Sequence, residues 1–333
     1  MVQSGIELGL FRYLTESEEP LTVGQIAEKT GAEFQLIVRC LRYLAAIGSV
    51  EEVGKGQYSA NHITRNLSED VAEAGLSTYF YLSAPPFQAI PKFLKENDLK
   101  CPHDRTHTPF QLAFDTKRSM FEWFSEHPEN LEHFNSYMAL SRKQSRLSWL
   151  SVYPVDAEAA GWPTEQPLFV DVGGALGYQC AKFKEKFPGL RGRVILQDLP
   201  HSIARALCTP GVENMAHNFF DPQPVIGAKF YYLAAVLHDQ PPQQVRRLLE
   251  NTKAAMAPGS RLLIDEMMIP EVSVSAEAAS RDLTVLSCLA SKERTEAEWR
   301  ELLDDVGLDL VHTYTYNPVT YETLMDVRSR DSV

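Results

Sequence analysis

A glycine-rich turn and a later aspartate are the residues whose spacing most clearly indicates chemistry. The turn, Asp171 to Gly177, reads Asp-Val-Gly-Gly-Ala-Leu-Gly and overlaps the end of the apolar run Leu168 to Val172. Glycines at such a place let the backbone approach a ligand closely at the carboxyl edge of a strand. A second apolar run ends at Asp198, and a carboxylate there can accept hydrogen bonds from both hydroxyls of a ribose. Together the two features predict a site for an adenosine-containing cofactor.

The same turn argues against a dinucleotide as that cofactor. A dinucleotide fingerprint reads GxGxxG, and its second glycine faces the pyrophosphate. That glycine would fall on Ala175 if the motif began at Gly173, and on Leu176 if it began at Gly174. S-adenosylmethionine carries no phosphate and makes no such demand, so the sequence favours it. The alternative that the glycines only form a tight turn between a strand and a helix stays open at this point.

The elements that must position this turn alternate between strands and helices. A helix follows the turn to about Phe187, and a capping box at Thr295 to Glu298 starts a later helix that ends at Gly307. A further helix is predicted over residues 243–257, and strands over residues 168–172, 193–196, 229–233, 262–265, 308–315 and 320–327. This alternation predicts an α/β domain over residues 161–333, with a mostly parallel sheet and helices on both faces.

The first part of the chain predicts a mainly helical winged-helix domain over residues 1–99. Thr22 is placed to cap a helix from Val23 to Thr30, and a second helix runs from about Phe34 to Ile47. The predicted buried stripe of the second helix comprises Leu36, Ile37, Cys40, Leu41, Leu44 and Ala45. Two short strands, residues 49–53 and 57–60, follow as a hairpin. Residues 100–160 are predicted to supply a helical connection and the helices of a substrate pocket. Residues 154–167, which include Gly161 and Pro163, are expected to form a linker.

The charge of the chain does not favour nucleic acid as a partner of this winged helix. The formal net charge is −12 at pH 7, which repels phosphate backbones. The second helix offers Arg39 and Arg42, but acidic residues surround it, whereas a recognition helix needs a basic face. A packing or dimerisation role is therefore favoured, and the apolar segment from Ile6 to Phe11 is a candidate contact in a homodimer.

Composition disfavours membrane, secreted and metal-binding proteins. The sequence lacks a run of about 18 apolar residues, and its start lacks a basic region followed by an apolar stretch. The five cysteines are scattered without a CxxC pair, so neither a disulfide framework nor a zinc site is expected. The expectation is a cytoplasmic protein with no membrane segment and no metal.

Four short motifs resemble one enzyme family. They are, in order, Val170 to Gly174, Gln197 to Pro200, Leu237 to Asp239 and Ser291 to Thr295. The series resembles the plant and fungal small-molecule O-methyltransferases, the caffeic-acid-type enzymes. Leu41 to Gly48 resembles their winged-helix dimerisation domain, and Phe219 to Pro224 is similar to fungal members. The resemblance implies a Rossmann-like class I methyltransferase domain, S-adenosylmethionine as the cofactor, a homodimer and a hydroxylated small-molecule substrate.

The resemblance also assigns roles to matching positions. The cofactor-binding candidates are Asp171, Gly173, Gly174, Gly177, Asp198, Leu199, Asn218 and Phe219. Asn218 and Phe219 stand where the family usually has an Asp-Met pair around the adenine. His238 matches the catalytic base, and Glu266 and Glu293 match the acidic residues that flank it.

A histidine suits this chemistry because a neutral phenol, with a pKa of about 10, is a weak nucleophile. Removing its proton as the new bond forms accelerates the reaction, and the rate is then expected to rise with pH through the pKa of the histidine. The candidate substrate contacts are Phe134, Met138, Asp239 and Asp282. The residues alone leave open that Asp239 caps the following helix, that Asp282 forms a surface ion pair, and that the other two belong to the core.

Three departures from the family pattern keep other activities open. Ala175 replaces a common third glycine, Ala234 stands where a Lys or Arg often contacts the cofactor, and Gln240 replaces the usual Trp. Some fungal relatives catalyse pericyclic or dehydration reactions, and these tend to lose the catalytic histidine, which this chain keeps at His238. A non-catalytic binding or regulatory subunit is the third alternative, because relatives usually carry a further helical segment before the stretch matching Met1.

Overall fold

The computed structural model describes residues 1–144 and 147–330. The chain divides into two compact units. Unit 1 comprises Met1–Gln88 and Phe121–Ser145, and unit 2 comprises Ala89–Met120 and Arg146–Val333. Within the described ranges, no helix is long and apolar enough to span a membrane.

Helices and strands follow one another along the chain as set out here. The helices are α1 (Val2–Glu7), α2 (Leu10–Glu16), α3 (Val23–Thr30), α4 (Phe34–Ala46), α5 (His62–Leu67), α6 (Asp70–Thr78), α7 (Ala84–Glu96), α8 (Pro109–Phe114), α9 (Met120–Trp123), α10 (Pro128–Gln144), α11 (Val155–Glu158), α12 (Tyr178–Lys186), α13 (Pro200–Ile203), α14 (Pro242–Ala255), α15 (Ala276–Leu289) and α16 (Glu296–Asp305). Short 3-10 turns cover Phe124–Glu126, Trp149–Ser151 and Leu237–Asp239, and a π-helical turn covers Tyr79–Ser83. The strands are β1 (Leu21–Thr22), β2 (Glu51–Gly54), β3 (Gln57–Ser59), β4 (Pro167–Val172), β5 (Arg193–Asp198), β6 (Val212–Ala216), β7 (Phe230–Ala234), β8 (Arg261–Ile269), β9 (Arg294–Thr295), β10 (Leu308–Asn317) and β11 (Glu322–Ser329).

A mostly parallel sheet in unit 2 carries the predicted site at the ends of its strands. The strand order is β10-β11-β8-β7-β4-β5-β6, and β9 pairs with the end of β8. The five strands from β8 to β6 run parallel, whereas β11 and β10 pair antiparallel at one side. Because parallel strands end at the same edge, the turn after β4 and the aspartate that ends β5 are neighbours. The predicted α/β fold and its closing hairpin are confirmed.

The central strands are apolar on both faces, as a parallel sheet covered on both sides requires. All six residues of β4 are buried. On β7, Tyr231 and Leu233 belong to the core cluster shared with α14 and α16. Phe230 and Tyr232 alternate with them and belong to the second cluster, with Trp149 and residues of α12. The two faces of β7 therefore anchor the turn that follows it from both sides.

Unit 1 contains the winged-helix arrangement. Thr22 caps α3 by accepting a hydrogen bond from the backbone N–H of Gln25, in a complete capping box, so this predicted cap is confirmed. Helices α3 and α4 are followed by the hairpin β2–β3, which with β1 forms an antiparallel sheet of order β1-β3-β2. Ile37, Cys40, Leu41 and Leu44 are buried as predicted. The prediction for Leu36 is wrong, because its side chain turns outward and is 46% exposed.

The apolar segment near the start of the chain packs inward. Leu10 and Phe11 are 0% and 1% exposed and lie in the core of unit 1. The segment that was expected to form a dimer contact therefore packs mostly into the core of its own unit. Large apolar side chains that are exposed on unit 1 include Leu36, Tyr43 and Phe80.

Three elements of unit 2 differ from the prediction. The stretch 154–167, expected to be a linker, contains the short helix α11, because Val155 is buried in the core and anchors one turn. The sequence pattern also did not reveal α15 or β6. Strand β6 is an edge strand with no fully buried residue, so it lacks the apolar run by which the other strands were recognised.

Candidate active site

The glycine-rich turn follows β4 and leads into α12. Gly173 and Gly177 have φ angles of +74° and +84°, a region that favours glycine. At Gly174 the limit is space, because a Cβ there would lie 2.4 Å from the Asp171 carboxyl group and 2.6 Å from a methyl group of Leu196. The sequence therefore needs these glycines to bring the backbone this close to β4 and β5.

The end of β5 holds the turn in place. The backbone N–H groups of Gly173 and Gly174 donate to the carbonyl oxygen of Gln197 at 2.8 and 3.1 Å. Asp198 accepts the N–H of Ala175 on Oδ2 at 2.8 Å and the N–H of Leu199 on Oδ1 at 2.7 Å. An ionised carboxylate has about four acceptor positions, so each oxygen keeps one for a ligand. Asp198 can thus hold the turn and still accept the two hydroxyls of a ribose.

The residues predicted to surround an adenine lie on the loop after β6. Phe219 is half-buried, and a Cβ on Gly173 would lie 3.4 Å from its ring, so the aromatic side chain borders the turn. Asn218 is exposed, and its Oδ1 accepts the backbone N–H of Phe220 at 3.1 Å. An amide carbonyl has two lone pairs, so this oxygen can also accept from an amino group.

A pair of buried amides fixes that loop to β5, and no pattern in the sequence predicted this contact. Gln197 and Gln223 each donate from Nε2 to the other's Oε1 at 2.8 Å. Gln223 Oε1 also accepts the backbone N–H of Val225 at 3.0 Å. The pair ties the loop that carries Asn218 to the strand that ends at Asp198.

These residues fit an adenosine-containing cofactor. The turn offers closely approachable backbone, Asp198 offers free acceptor positions for two hydroxyls, and Phe219 offers an apolar flank. Gly174 has no room for a side chain. The backbone of Ala175 is left-handed, with a φ of +52°, and continues the tight turn. These groups have the chemistry that a ribose and a base require, and their assignment as cofactor contacts stays a prediction.

His238 lies in the 3-10 turn that follows β7, surrounded by carboxylates. Its Nδ1 is 2.8 Å from Oε1 of Glu293 and 3.9 Å from Oε2 of Glu266. Its Nε2 is 3.4 Å from Oδ1 of Asp239. The short hydrogen bond fixes Nδ1 toward Glu293, so Nε2 is the nitrogen available to exchange a proton with a ligand. The structure brings together the three residues predicted as the catalytic group.

This environment favours the protonated imidazole. Burial alone lowers the pKa of His238, but the negative charges of Asp239, Glu266 and Glu293 outweigh it and raise the pKa to about 10. The hydrogen bond to Glu293 acts in the same direction. Pairing with these carboxylates therefore shifts the pKa of His238 upward.

Glu266 anchors the turn on which His238 lies. Its Oε1 accepts the backbone N–H groups of Val236 and Leu237 at 3.0 and 2.8 Å. The side chain is 3% exposed, and burial raises its pKa, although the charge of His238 and the N–H of Leu237 oppose that rise. Glu266 therefore contributes geometry as well as charge.

Asp239 does not cap the next helix. Helix α14 begins at Pro242, and its N-cap residue, Pro241, makes no side-chain capping hydrogen bond. The capping alternative raised by the sequence is therefore wrong. Asp239 instead lies beside Nε2 of His238, next to the atom through which a substrate proton would pass.

Asp282 lies on α15 and contacts backbone. Its Oδ1 accepts the N–H of Glu293 at 2.8 Å. Burial raises its pKa, and the hydrogen bond from Glu293 opposes that rise. The side chain is half-buried, so the alternative of a surface ion pair does not describe it.

The other two candidate substrate contacts belong to unit 1. Phe134 and Met138 lie four residues apart on α10 and are half-buried. The ring of Phe134 packs against Phe124, with centroids 5.4 Å apart. Their assignment as substrate contacts stays a prediction.

A buried arginine completes the charge distribution and was missed from the sequence. Arg294 is 2% exposed, lies 5.0 Å over the ring of Trp299, and interacts electrostatically with Glu266 and Glu293. Its Nη1 donates to the carbonyl of Lys292 at 3.3 Å. The signal was present, since Arg294 belongs to the Ser291 to Thr295 motif, but the motif alone does not tell which of its side chains is buried.

Comparison with known proteins identifies the family. A family model described as an O-methyltransferase domain matches residues 100–309, and one described as an O-methyltransferase dimerisation domain matches residues 1–70. Demethylsterigmatocystin 6-O-methyltransferase of Aspergillus parasiticus is 40% identical over 331 residues, covering 99% of this chain and 85% of that protein.

Solved structures agree with this assignment. A structure described as a pericyclic reaction enzyme and one of LepI in complex with SAM each match with a TM-score of 0.90 at 35% identity, covering 99% of this chain and 85% of theirs. The fold is that of a class I methyltransferase preceded by a helical domain of the dimerisation type. The chain therefore belongs to the S-adenosylmethionine-dependent O-methyltransferases.

Proposed function

We propose that this protein methylates a hydroxyl group of an aromatic or polyketide-type small molecule, with His238 as the general base. The observation that carries the proposal is the hydrogen bond of 2.8 Å between His238 Nδ1 and Glu293. It fixes the imidazole so that Nε2, rather than Nδ1, meets the acceptor. The relative that methylates demethylsterigmatocystin, by its name, supports an aromatic polyketide as the class of acceptor.

The proposed cofactor contacts are those of the glycine turn and its neighbours. The backbone of Gly173, Gly174 and Gly177 would border the cofactor, and Asp171 would help to hold it. Asp198 and Leu199 would hold the ribose, and Asn218 and Phe219 would flank the adenine. When bound, S-adenosylmethionine supplies an electrophilic methyl group.

The proposed chemistry of the chain itself is a proton transfer. Nε2 of His238 takes the proton of the acceptor hydroxyl as the oxygen forms its bond to the methyl group. The resulting imidazolium is stabilised by Glu293 on Nδ1 and by the nearby charge of Glu266. Asp239, 3.4 Å from Nε2, is placed to contact the same acceptor. His238 must lose its own proton before it can act, and this sets the pH dependence.

A second candidate is a pericyclic or dehydration reaction that uses the same scaffold without methyl transfer. The similarity to the structure described as a pericyclic reaction enzyme, with a TM-score of 0.90, supports this second candidate. Gln240, which replaces the family's usual Trp, is 5% exposed and accepts a hydrogen bond from Arg105 at 3.2 Å. The side of the turn next to His238 is thus polar here, and fold alone does not fix the reaction.

Turnover with S-adenosylmethionine labelled on its methyl group distinguishes the two activities. The purified protein is incubated with a panel of hydroxylated aromatic polyketides, and products are analysed by mass spectrometry. We expect products that carry the labelled methyl group, together with an equal amount of S-adenosylhomocysteine. Conversion of an acceptor without incorporation of label would replace the proposal with the second candidate.

We also propose that the protein forms a homodimer through unit 1. On α4 and just after it, Leu36, Tyr43 and Ile47 are 46%, 51% and 47% exposed and recur at helical spacing on one face. Exposed apolar patches of this kind often mark interfaces. Light scattering over a concentration series should give twice the monomer mass, and Tyr43→Glu should shift it toward the monomer. The matched control is Val311→Glu, exposed on unit 2; a wild-type monomer at every concentration would contradict the proposal.

A cytoplasmic location is proposed on the state of the cysteines. All five are free thiols, and Cys40, Cys180 and Cys288 are buried. Proteins that keep their thiols reduced are typical of the cytoplasm.

A further inference from the structure

The segment that carries Glu293 is short and lies between two regular elements. Helix α15 ends at Leu289, its C-cap Ala290 has a φ of +55°, and β9 begins at Arg294. The carboxylate of Glu293 must nevertheless be held closely, because Oε1 approaches His238 Nδ1 to 2.8 Å. What positions Glu293 therefore also positions the imidazole.

Several hydrogen bonds hold this segment. Ser291 Oγ donates to the carbonyl of Gln240 at 2.8 Å, and the guanidinium of Arg294 donates to the carbonyl of Lys292 at 3.3 Å. Asp282 on α15 contacts Glu293 itself, because its Oδ1 accepts the backbone N–H of Glu293 at 2.8 Å. Asp282 is thus the side chain that holds the backbone of Glu293 directly, and Glu293 in turn contacts His238.

We propose that Asp282 is a positioning residue that acts through Glu293 to orient His238, and this inference rests on the proposed function. Oδ1 of Asp282 fixes the main chain of Glu293, and the carboxylate of Glu293 then fixes Nδ1 of His238. The role differs from the substrate contact expected from the sequence. In this role the position of the acceptor oxygen at residue 282 determines how His238 is oriented, and the charge of that oxygen matters less.

Charge and geometry at position 282 can be separated by three substitutions. Asp282→Ala removes the acceptor, Asp282→Asn keeps an acceptor oxygen at the same place without the charge, and Asp282→Glu keeps the charge but moves it by one methylene group. The charged groups near His238 are Asp239 on its own turn, Glu266 on β8, and Glu293 and Arg294 after α15. None of these is altered by the three variants.

The first measurement is a titration of His238 in the free protein by NMR, with its signal assigned by its loss in His238→Ala. We expect the pKa of His238 to fall in Asp282→Ala and Asp282→Glu, because Glu293 no longer keeps its place, and to stay near the wild-type value in Asp282→Asn. Glu277→Ala, exposed on the first turn of the same helix, is the control and should change nothing.

The second measurement is the turnover number over a range of pH. We expect kcat to fall between about 3-fold and 100-fold in Asp282→Ala, the upper end being the cost of misplacing a catalytic group by about 1 Å. Cofactor affinity should not change, and Asp282→Asn should restore most of the rate.

An unchanged pKa of His238 and unchanged kcat in Asp282→Ala would overturn the inference. It would also be overturned if Asp282→Asn behaved like the alanine variant while Asp282→Glu behaved like wild type, since charge would then be the cause. If the alanine variant does not fold, the comparison of Asn with Glu decides. Failure of the proposed function is distinguishable, because it would appear as wild-type methylation in His238→Ala, whereas the NMR titration needs no turnover.

Discussion

His238→Ala is expected to lower the rate of methyl transfer by roughly two to four orders of magnitude, the contribution of a positioned general base. The imidazole is the group that Glu293 and Glu266 surround, at 2.8 and 3.9 Å from Nδ1. Without it, the acceptor hydroxyl must lose its proton to water. Steady-state kinetics with saturating cofactor measures the change.

The binding of cofactor should be almost unaffected by the same substitution. The proposed cofactor contacts lie on the turn after β4, at the end of β5 and on the loop after β6, and His238 lies after β7. Calorimetry with S-adenosylhomocysteine should therefore give a similar Kd for both proteins. His312→Ala, an exposed histidine on β10, is the matched control and should keep the wild-type rate. A variant that loses both binding and rate would point to a structural role for His238.

The pH dependence of kcat/KM should show a rising limb that lies well above the ordinary histidine value of about 6.5. The base must be neutral to act, and its neutral fraction grows as the pH rises through the pKa. Burial lowers that pKa, but Asp239, Glu266 and Glu293 raise it to about 10, so activity should still be increasing at pH 8. A rate profile over pH 6 to 10 checks this.

Glu293→Gln separates the ionisation of His238 from that of the acceptor, which also gives a rising limb. The amide keeps a hydrogen-bonding oxygen but removes one negative charge, so the pKa of His238 should fall and the limb should move to lower pH. The pKa of an acceptor phenol would not follow the substitution in this way. A limb at the same pH in both proteins would show that His238 is not the titrating group.

The parts of the fold that could be predicted are those fixed by local patterns. The turn at Asp171 to Gly177 follows an apolar strand and needs glycine geometry, and Thr22 has a capping partner three residues away. Both signals lie within a few residues of the structure that they specify. Leu36 shows where helical periodicity fails as a predictor of burial. Successive residues on a helix are turned by about 100°, so an apolar residue at the border of the buried stripe fits the pattern whether its side chain points inward or outward.

The parts of the site that could not be predicted depend on contacts between distant segments. The carboxylate of Asp282, on α15, accepts the backbone N–H of Glu293, which follows that helix, and Gln197 on β5 hydrogen-bonds Gln223 on the loop after β6. The residues next to Asp282, Gln197 and Gln223 in sequence would equally have allowed each of these side chains to point to solvent. The family resemblance supplied His238, Glu266 and Glu293, but the direction of the pKa shift of His238 follows from three-dimensional proximity of charges.

The dependence of rate on acceptor acidity, compared between wild type and His238→Ala, tests the central claim most directly. A series of hydroxylated acceptors of matched shape and increasing acidity is methylated by both proteins at one pH. If Nε2 of His238 takes the hydroxyl proton, the deficit of the variant should shrink as the acceptor becomes more acidic, because an ionised oxygen needs no base. A deficit of the same size across the whole series, or none for the least acidic acceptor, would contradict the assignment of His238 as the base.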